Sequence, residues 1–140
     1  MTVKKANLEK ADYVGANLKG AYFKGSNFEK ANFKGSDLEE ANLQEANLIK
    51  AKLEDANLQR ANLNGVNFNG ADLQKVNFRK ANLQGAKLKE ANLEGAQNLS
   101  IDQLSNVKTL YNAKLDEELR KQLQNEYPAE YERLIKNPDF

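Results

Sequence analysis

Two adjacent carboxylates, Glu39 and Glu40, and a second pair, Glu54 and Asp55, are the groupings best placed for acid–base or metal chemistry. Paired carboxylates can share one proton or hold a divalent cation. Ser26 and Ser36 supply candidate nucleophiles, and Tyr13 a candidate acid. A serine nucleophile needs an adjacent base, yet the 140 residues contain no histidine and no cysteine. The commonest general base and metal ligand at neutral pH are therefore missing. So are thiolate sites and a disulfide framework. The eight glycines are spread along the chain and make no phosphate loop. Formal net charge is +1, which advertises neither a polyanionic partner nor a membrane surface. No stretch reaches 18 apolar residues, and the start "MTVKKANLEK" lacks an apolar signal core. A soluble cytoplasmic protein without cofactor or metal is the expectation.

The elements that would have to position these residues follow one rule. From Ala6 to Gly95 the chain divides into 18 pentapeptides without an insertion. The central residue is Leu, Phe or, once, Tyr; two residues earlier stands Ala in 14 units, replaced by Ser26, Ser36, Val66 and Val76. Between them lies Asn in 12 units and Asp12, Asp37 and Asp72 in three, with Tyr22, Lys52 and Lys87 departing. A helix would rotate successive central residues by about 140° and spiral them over every face. A flat strand would throw them to alternate sides. Within an extended unit, however, the Ala and Leu positions point the same way. With a corner after each unit, all of them can face one axis, and four corners of about 90° close a coil of 20 residues. All eight glycines occupy the second position after the central residue. That is the third position of a turn beginning there, where a type II turn requires positive φ. Units without glycine, including those between 38 and 60, are expected to turn without a positive φ.

The units "ANLKG", "ANFKG", "SDLEE", "ANLQG" and "ADLQK" carry a resemblance to the pentapeptide-repeat family, whose motif is A(D/N)LXX. The resemblance covers residues 6 to 95. It implies an all-β fold, a right-handed quadrilateral β-solenoid of about 4.5 coils, with about 4.8 Å between coils and a shaft about 22 Å long. Residues 20 apart then stack in columns such as Phe23, Leu43, Leu63 and Leu83. Asn42, Asn62 and Asn82 form another column, with the reach for an amide ladder.

Beyond residue 98 the register breaks. Ser100 and Gln103 read as a capping box opening a short helix with Ile101, Leu104 and Val107 inward. Asp116 reads as the N-cap of a second helix, with Leu115, Leu119, Leu123 and Tyr127 on one stripe. Pro128 interrupts before a last short helix. The segments "NLSIDQL" and "LYNAKLDEEL" resemble those following the repeats in bacterial, notably cyanobacterial, members. The expected organisation is an N-terminal tail (1–5), the solenoid (6–98) and a C-terminal helical cap and tail (99–140). The cap also reads as a dimerising or partner-binding arm. The N-terminal end, shielded by Val3, Tyr13 and Phe23, is left open to stack on another copy, so the chain is expected as a monomer or weak end-to-end homodimer.

A core filled by Leu, Phe and Ala leaves no catalytic pocket, and the carboxylate pairs fall in columns of alternating charge. The expectation is a non-enzymatic protein-interaction or regulatory scaffold whose partner is an unidentified protein. The most densely charged column, Lys19, Glu39, Glu40, Arg60, Arg79 and Lys80, is its candidate face. Val14, Tyr22 and Ile49 are the apolar residues at outward positions. The alternative implied by the family is a DNA-mimic inhibitor or protector of type II topoisomerase (gyrase), as in its quinolone-resistance branch. Those members resemble strongly acidic rods. Here the chain through residue 98 carries 15 basic and 12 acidic residues, a net of +3, the wrong sign for duplex mimicry. Interleaved charges without an exposed aromatic platform, Tyr22 aside, also argue against direct nucleic-acid binding.

Overall fold

The computed structural model describes residues 1–3 and 5–139. Lys4 of the expected N-terminal tail and Phe140 of the expected C-terminal tail lie outside the described residues. Every unit closes with the same turn: the central carbonyl accepts the N–H three residues on, as in Ala11 N to Leu8 O at 3.0 Å and Ala41 N to Leu38 O at 3.0 Å. The second residue after the centre has positive φ throughout, including units without glycine. Glycines there lie at φ +65 to +72, while Glu40, Glu45, Lys50, Asp55 and Arg60 lie at +60, +57, +56, +62 and +58. The expected distinction between glycine and non-glycine corners is therefore corrected. An L-residue in this region costs about 1–2 kcal/mol, but it keeps the backbone direction that lets its own N–H pair with the next coil. Glu40 N, for example, reaches Gln59 O at 2.9 Å.

The Asn/Asp position supports the same corner. Its side-chain oxygen accepts the N–H two residues on, as in Gln44 N to Asn42 Oδ1 at 3.0 Å and Glu39 N to Asp37 Oδ1 at 3.0 Å. This replaces the expected ladder in the Asn42, Asn62, Asn82 column, where each oxygen serves its own corner. Short side chains that hydrogen-bond their local backbone favour such turns over regular structure.

Coils are joined by isolated parallel bridges between residues 20 apart, as in Asn42↔Asn62 and Asn62↔Asn82. The described residues contain no continuous strand, because each side has too few extended residues between corners to pair more than one. Pairing starts before Ala6: Thr2 bridges Tyr22, and Val3 N donates to Tyr22 O at 2.7 Å. It also continues past residue 98. Lys87 bridges Thr109 and Asn92 bridges Lys114, now 22 residues apart. "KTLYN" and "AKLDE" are thus two further divergent units, with Asn112 at a corner φ of +56. Thr109 Oγ1 takes the role of the Asn oxygen by accepting Tyr111 N at 3.1 Å.

The described residues also form three helices: α1 (Ile101–Ser105), α2 (Glu117–Glu126) and α3 (Pro128–Leu134). The Ser100–Gln103 capping box is formed. Asp116 precedes α2, but its carboxylate turns away from the helix and accepts Gly95 N at 3.1 Å. Leu104, Val107, Leu123 and Leu134 are buried in the same apolar core as the repeats, while Ile101, Leu115, Leu119 and Tyr127 are half-buried against it. Inside the coils, Phe23, Phe28 and Phe33 are fully buried, and Tyr13 stacks on Phe33 with centroids 5.1 Å apart.

Candidate functional surface

The charged column stands on the corners that follow Leu18, Leu38, Leu58 and Phe78. Because each corner has the same backbone form, side chains at equivalent positions rise in register. Glu39 lies between two cations, with Lys19 Nζ at 3.8 Å and Arg60 Nη1 at 3.3 Å. Its side chain is only 21% exposed, against 55% for Lys19 and 44% for Arg60. The structure therefore brings together Lys19, Glu39 and Arg60. Among the described residues, no ion pair joins Glu40, Arg79 or Lys80 to the group, and these three are exposed along the same column. Exposed pairs of this kind contribute at most about 1 kcal/mol each; their value lies in a fixed pattern of charge.

The second carboxylate pair is assembled differently from its sequence position. Glu54 interacts with Asp72, from the next coil, which pushes the Glu54 carboxyl up; burial is the larger cause, and Lys34 partly opposes it. Gln74 Nε2 donates to both Asp72 oxygens, at 3.0 and 3.2 Å. Stacking by 20 does not reveal this contact, because it runs diagonally between an outward corner position and the Asn/Asp position one coil on. No cluster of three acidic residues that could hold a metal occurs among the described residues. Ser26 and Ser36 are buried at the alanine position, and Tyr13 packs among phenylalanines. Among the described residues, none of the three meets a base that would activate it.

Of the outward apolar residues, Val14 is exposed, whereas Tyr22 and Ile49 are half-buried. Ile135, which follows α3, is exposed and carried no periodic signal. Two depressions were also invisible in the repeat pattern. One, of about 310 Å³, lies between Ala81–Gln84 and the α1 residues Asp102 and Gln103, with Asn106 beyond. Its rim is held by Tyr127 Oη, which donates to Asp102; that carboxylate raises the Tyr127 pKa. The other, of about 190 Å³, is lined by Asn69, Lys87, Lys89, Lys108 and Thr109, with Pro138 and Asp139 against it. No helix among the described residues is long and apolar enough to cross a membrane.

The profile described as "Pentapeptide repeats" matches in eight copies over residues 4–39, 41–79 and 56–95. Among solved structures, the chain is similar to the pentapeptide repeat protein Rfr23 from the cyanobacterium Cyanothece 51142. The identity is 27% over 82% of this chain and 88% of that one, with a TM-score of 0.62. It is also similar to the pentapeptide repeat protein alr5209 from Nostoc, at 28% identity over 80% and 86% of the two chains and a TM-score of 0.52. QnrB1, a plasmid-mediated fluoroquinolone resistance protein, shares the fold at 21% identity over 88% and 66%, with a TM-score of 0.53. These likenesses imply the right-handed β-helix solenoid. No curated protein matches the sequence.

Proposed function

The chain belongs to the pentapeptide-repeat family, and from that premise we propose that it is a non-enzymatic scaffold that docks a protein partner on its outer faces. We read it as about four and a half coils with a short continuation at 108–115, closed by the C-terminal helices as a cap. One observation carries the reading. Inward positions are filled by Leu, Phe and small residues, while side-chain diversity stands outward on corners of repeated geometry. Such a surface presents charge in fixed register at little conformational cost, which suits recognition better than chemistry. The Lys19–Glu39–Arg60 ladder, extended by Glu40, Arg79 and Lys80, is the face assigned to the partner.

Gyrase protection through DNA mimicry gains no support. The likeness to QnrB1 concerns the fold, and the net charge of +3 through residue 98 opposes the sign required. The test is an affinity pull-down from native lysate with the intact chain and with Arg79→Glu/Lys80→Glu. The expected result is a protein retained by the first and lost by the second, with both forms melting at nearly the same temperature. Retention of no specific protein by the intact chain would overturn the scaffold reading. A topoisomerase subunit in the bound fraction would instead establish the mimic.

A further inference from the structure

We propose that the depression lined by Lys87, Lys89 and Lys108 is a carboxylate-binding pocket for an acidic peptide segment, and that Asp139 of the chain's own C-terminal segment occupies it as an internal competitor. The inference deepens the scaffold reading and rests on it, but it concerns a different face from the Lys19–Arg60 column.

The unit "AKLKE" departs from the repeat at the position that builds the pocket. Lys87 stands where most units carry Asn, so its corner lacks the usual acceptor. The Lys89 N–H is satisfied instead by Asn69 Oδ1 of the preceding coil, at 3.0 Å. The exchange places two ammonium groups two residues apart on one outward face. Lys108, immediately before the bridging residue Thr109, adds a third from the next coil. Neighbours in the Lys87 column are Asn67 and Thr109, both uncharged. Lys52, at the same position of its unit, has Asp72 as its bridge partner, and Lys114, of the divergent unit "AKLDE", bridges Asn92 in that same column. Among the described residues, the column of Lys52 and Lys114 thus holds an acid, and that of Lys87 holds none. Arg133 adds further positive charge beside the pocket, donating from Nη1 to the Lys108 carbonyl at 3.1 Å, although Glu130 pairs with it.

An anion already sits there. Asp139 Oδ2 accepts from Lys89 Nζ, and its N–H donates to Asn137 Oδ1 at 3.0 Å, a local turn that aims the carboxylate inward. Lys89 is the more enclosed partner, 24% exposed against 66% for Asp139. The cation is built into the wall and the carboxylate rests at the mouth, as expected for an occupant that can be displaced. The nearby Glu90 is the other acid acting on Lys89. Thr109, 4% exposed, and Asn69 form the rest of the wall of this depression of about 190 Å³.

The test is fluorescence anisotropy of a fluorescein-labelled penta-aspartate peptide with the full chain at low ionic strength. An exposed ion pair of ordinary strength keeps the tail docked most of the time, so Asp139→Asn is expected to tighten binding roughly two- to sixfold. Lys87→Gln/Lys89→Gln is expected to abolish binding in both backgrounds while leaving the melting temperature in place. Lys10→Gln/Lys30→Gln removes two exposed cations away from the pocket and is expected to leave most of the binding intact. The proposal is overturned if Asp139→Asn binds no tighter, or if the two double variants weaken binding equally, which marks diffuse attraction. Displacement by equimolar inorganic phosphate would overturn it in favour of a simple oxyanion site. Failure here with a successful pull-down through Arg79 and Lys80 would remove the pocket and leave the scaffold standing; the reverse pattern would retain a binding face and relocate it.

Discussion

Ser26 and Ser36 occupy the same position of the repeat and differ in what their hydroxyls find. Ser26 Oγ donates to Val3 O at 3.2 Å, while Ser36 Oγ is buried without a partner. Most units place alanine there, so the pocket around Ser36 accepts a methyl group and the hydroxyl adds only a desolvation cost. Ser36→Ala is predicted to stabilise the chain by about 1 kcal/mol in denaturant titration, and Ser26→Ala to give no such gain. Glu54 offers a second residue-scale prediction. Its folded pKa is raised by burial and by Asp72, so ionising it in the folded chain is penalised. The penalty is complete above the folded pKa and disappears as pH falls below the unfolded value near 4.5. Glu54→Gln should therefore raise the melting temperature at pH 7, and this advantage should vanish by about pH 4. Solvent screening keeps the effect small, and an advantage that grew on acidification would contradict the assignment.

At the scale of elements, the short helix α1 does what its length alone would not suggest. It interrupts the solenoid, and the pairing interval changes from 20 to 22 where the coil resumes at Thr109 and Lys114. Gln103 joins the two parts. Its Oε1 accepts Ser100 N at 2.8 Å, and its Nε2 donates to Phe78 O at 2.8 Å and Ala81 O at 2.9 Å. Gln103→Ala removes half of a capping box and takes the donor from Ala81 O, while Phe78 O keeps Ala81 N at 3.0 Å. The predicted cost is about 1–3 kcal/mol in urea unfolding. The capping box itself was legible because Ser and Gln three residues apart before apolar residues carry a local signal. The link to Phe78 and Ala81 was not, since it depends on where α1 lies over the coil. The units "KTLYN" and "AKLDE" escaped notice for a related reason: "AKLDE" fits the repeat, but the shift of two hides it from any count by fives that starts at Ala6.

Pairing between residues 20 apart makes the repeat region a one-dimensional stack, each turn of the chain bridged to the next. Removing one complete coil, residues 41–60, restores every corner to an equivalent neighbour. That deletion is predicted to give a cooperatively folded protein less stable by about 1–3 kcal/mol, on the per-residue scale of ordinary domains. Removing only residues 41–43 displaces every later corner relative to the coil beneath it and should abolish the cooperative transition in circular dichroism. Equal behaviour of the two deletions would contradict a stack in register. At this scale the two candidate faces also separate. The Lys19–Arg60 column interleaves four cations with two carboxylates, whereas the Lys87 pocket gathers cations from consecutive coils.

The repeat by itself determined the inward residues and the place of each corner; a four-sided coil was one way to close them, and the family resemblance implied it. Five-residue spacing is compatible with burial of every Leu or Phe only if the chain turns after each unit. It also ruled out the commonest catalytic apparatus, through the missing histidine and cysteine. Only the tertiary structure decided that glycine-free corners share the positive φ, because the pairing of Glu40 N with Gln59 O outweighs a residue's intrinsic preference. Only it turned the asparagines to their own corners, set Glu54 against Asp72, and brought Asp139 to Lys89. The last two contacts join residues 18 and 50 positions apart. Side-chain reach and the rise between coils fix them, and neither quantity is written in a five-residue pattern.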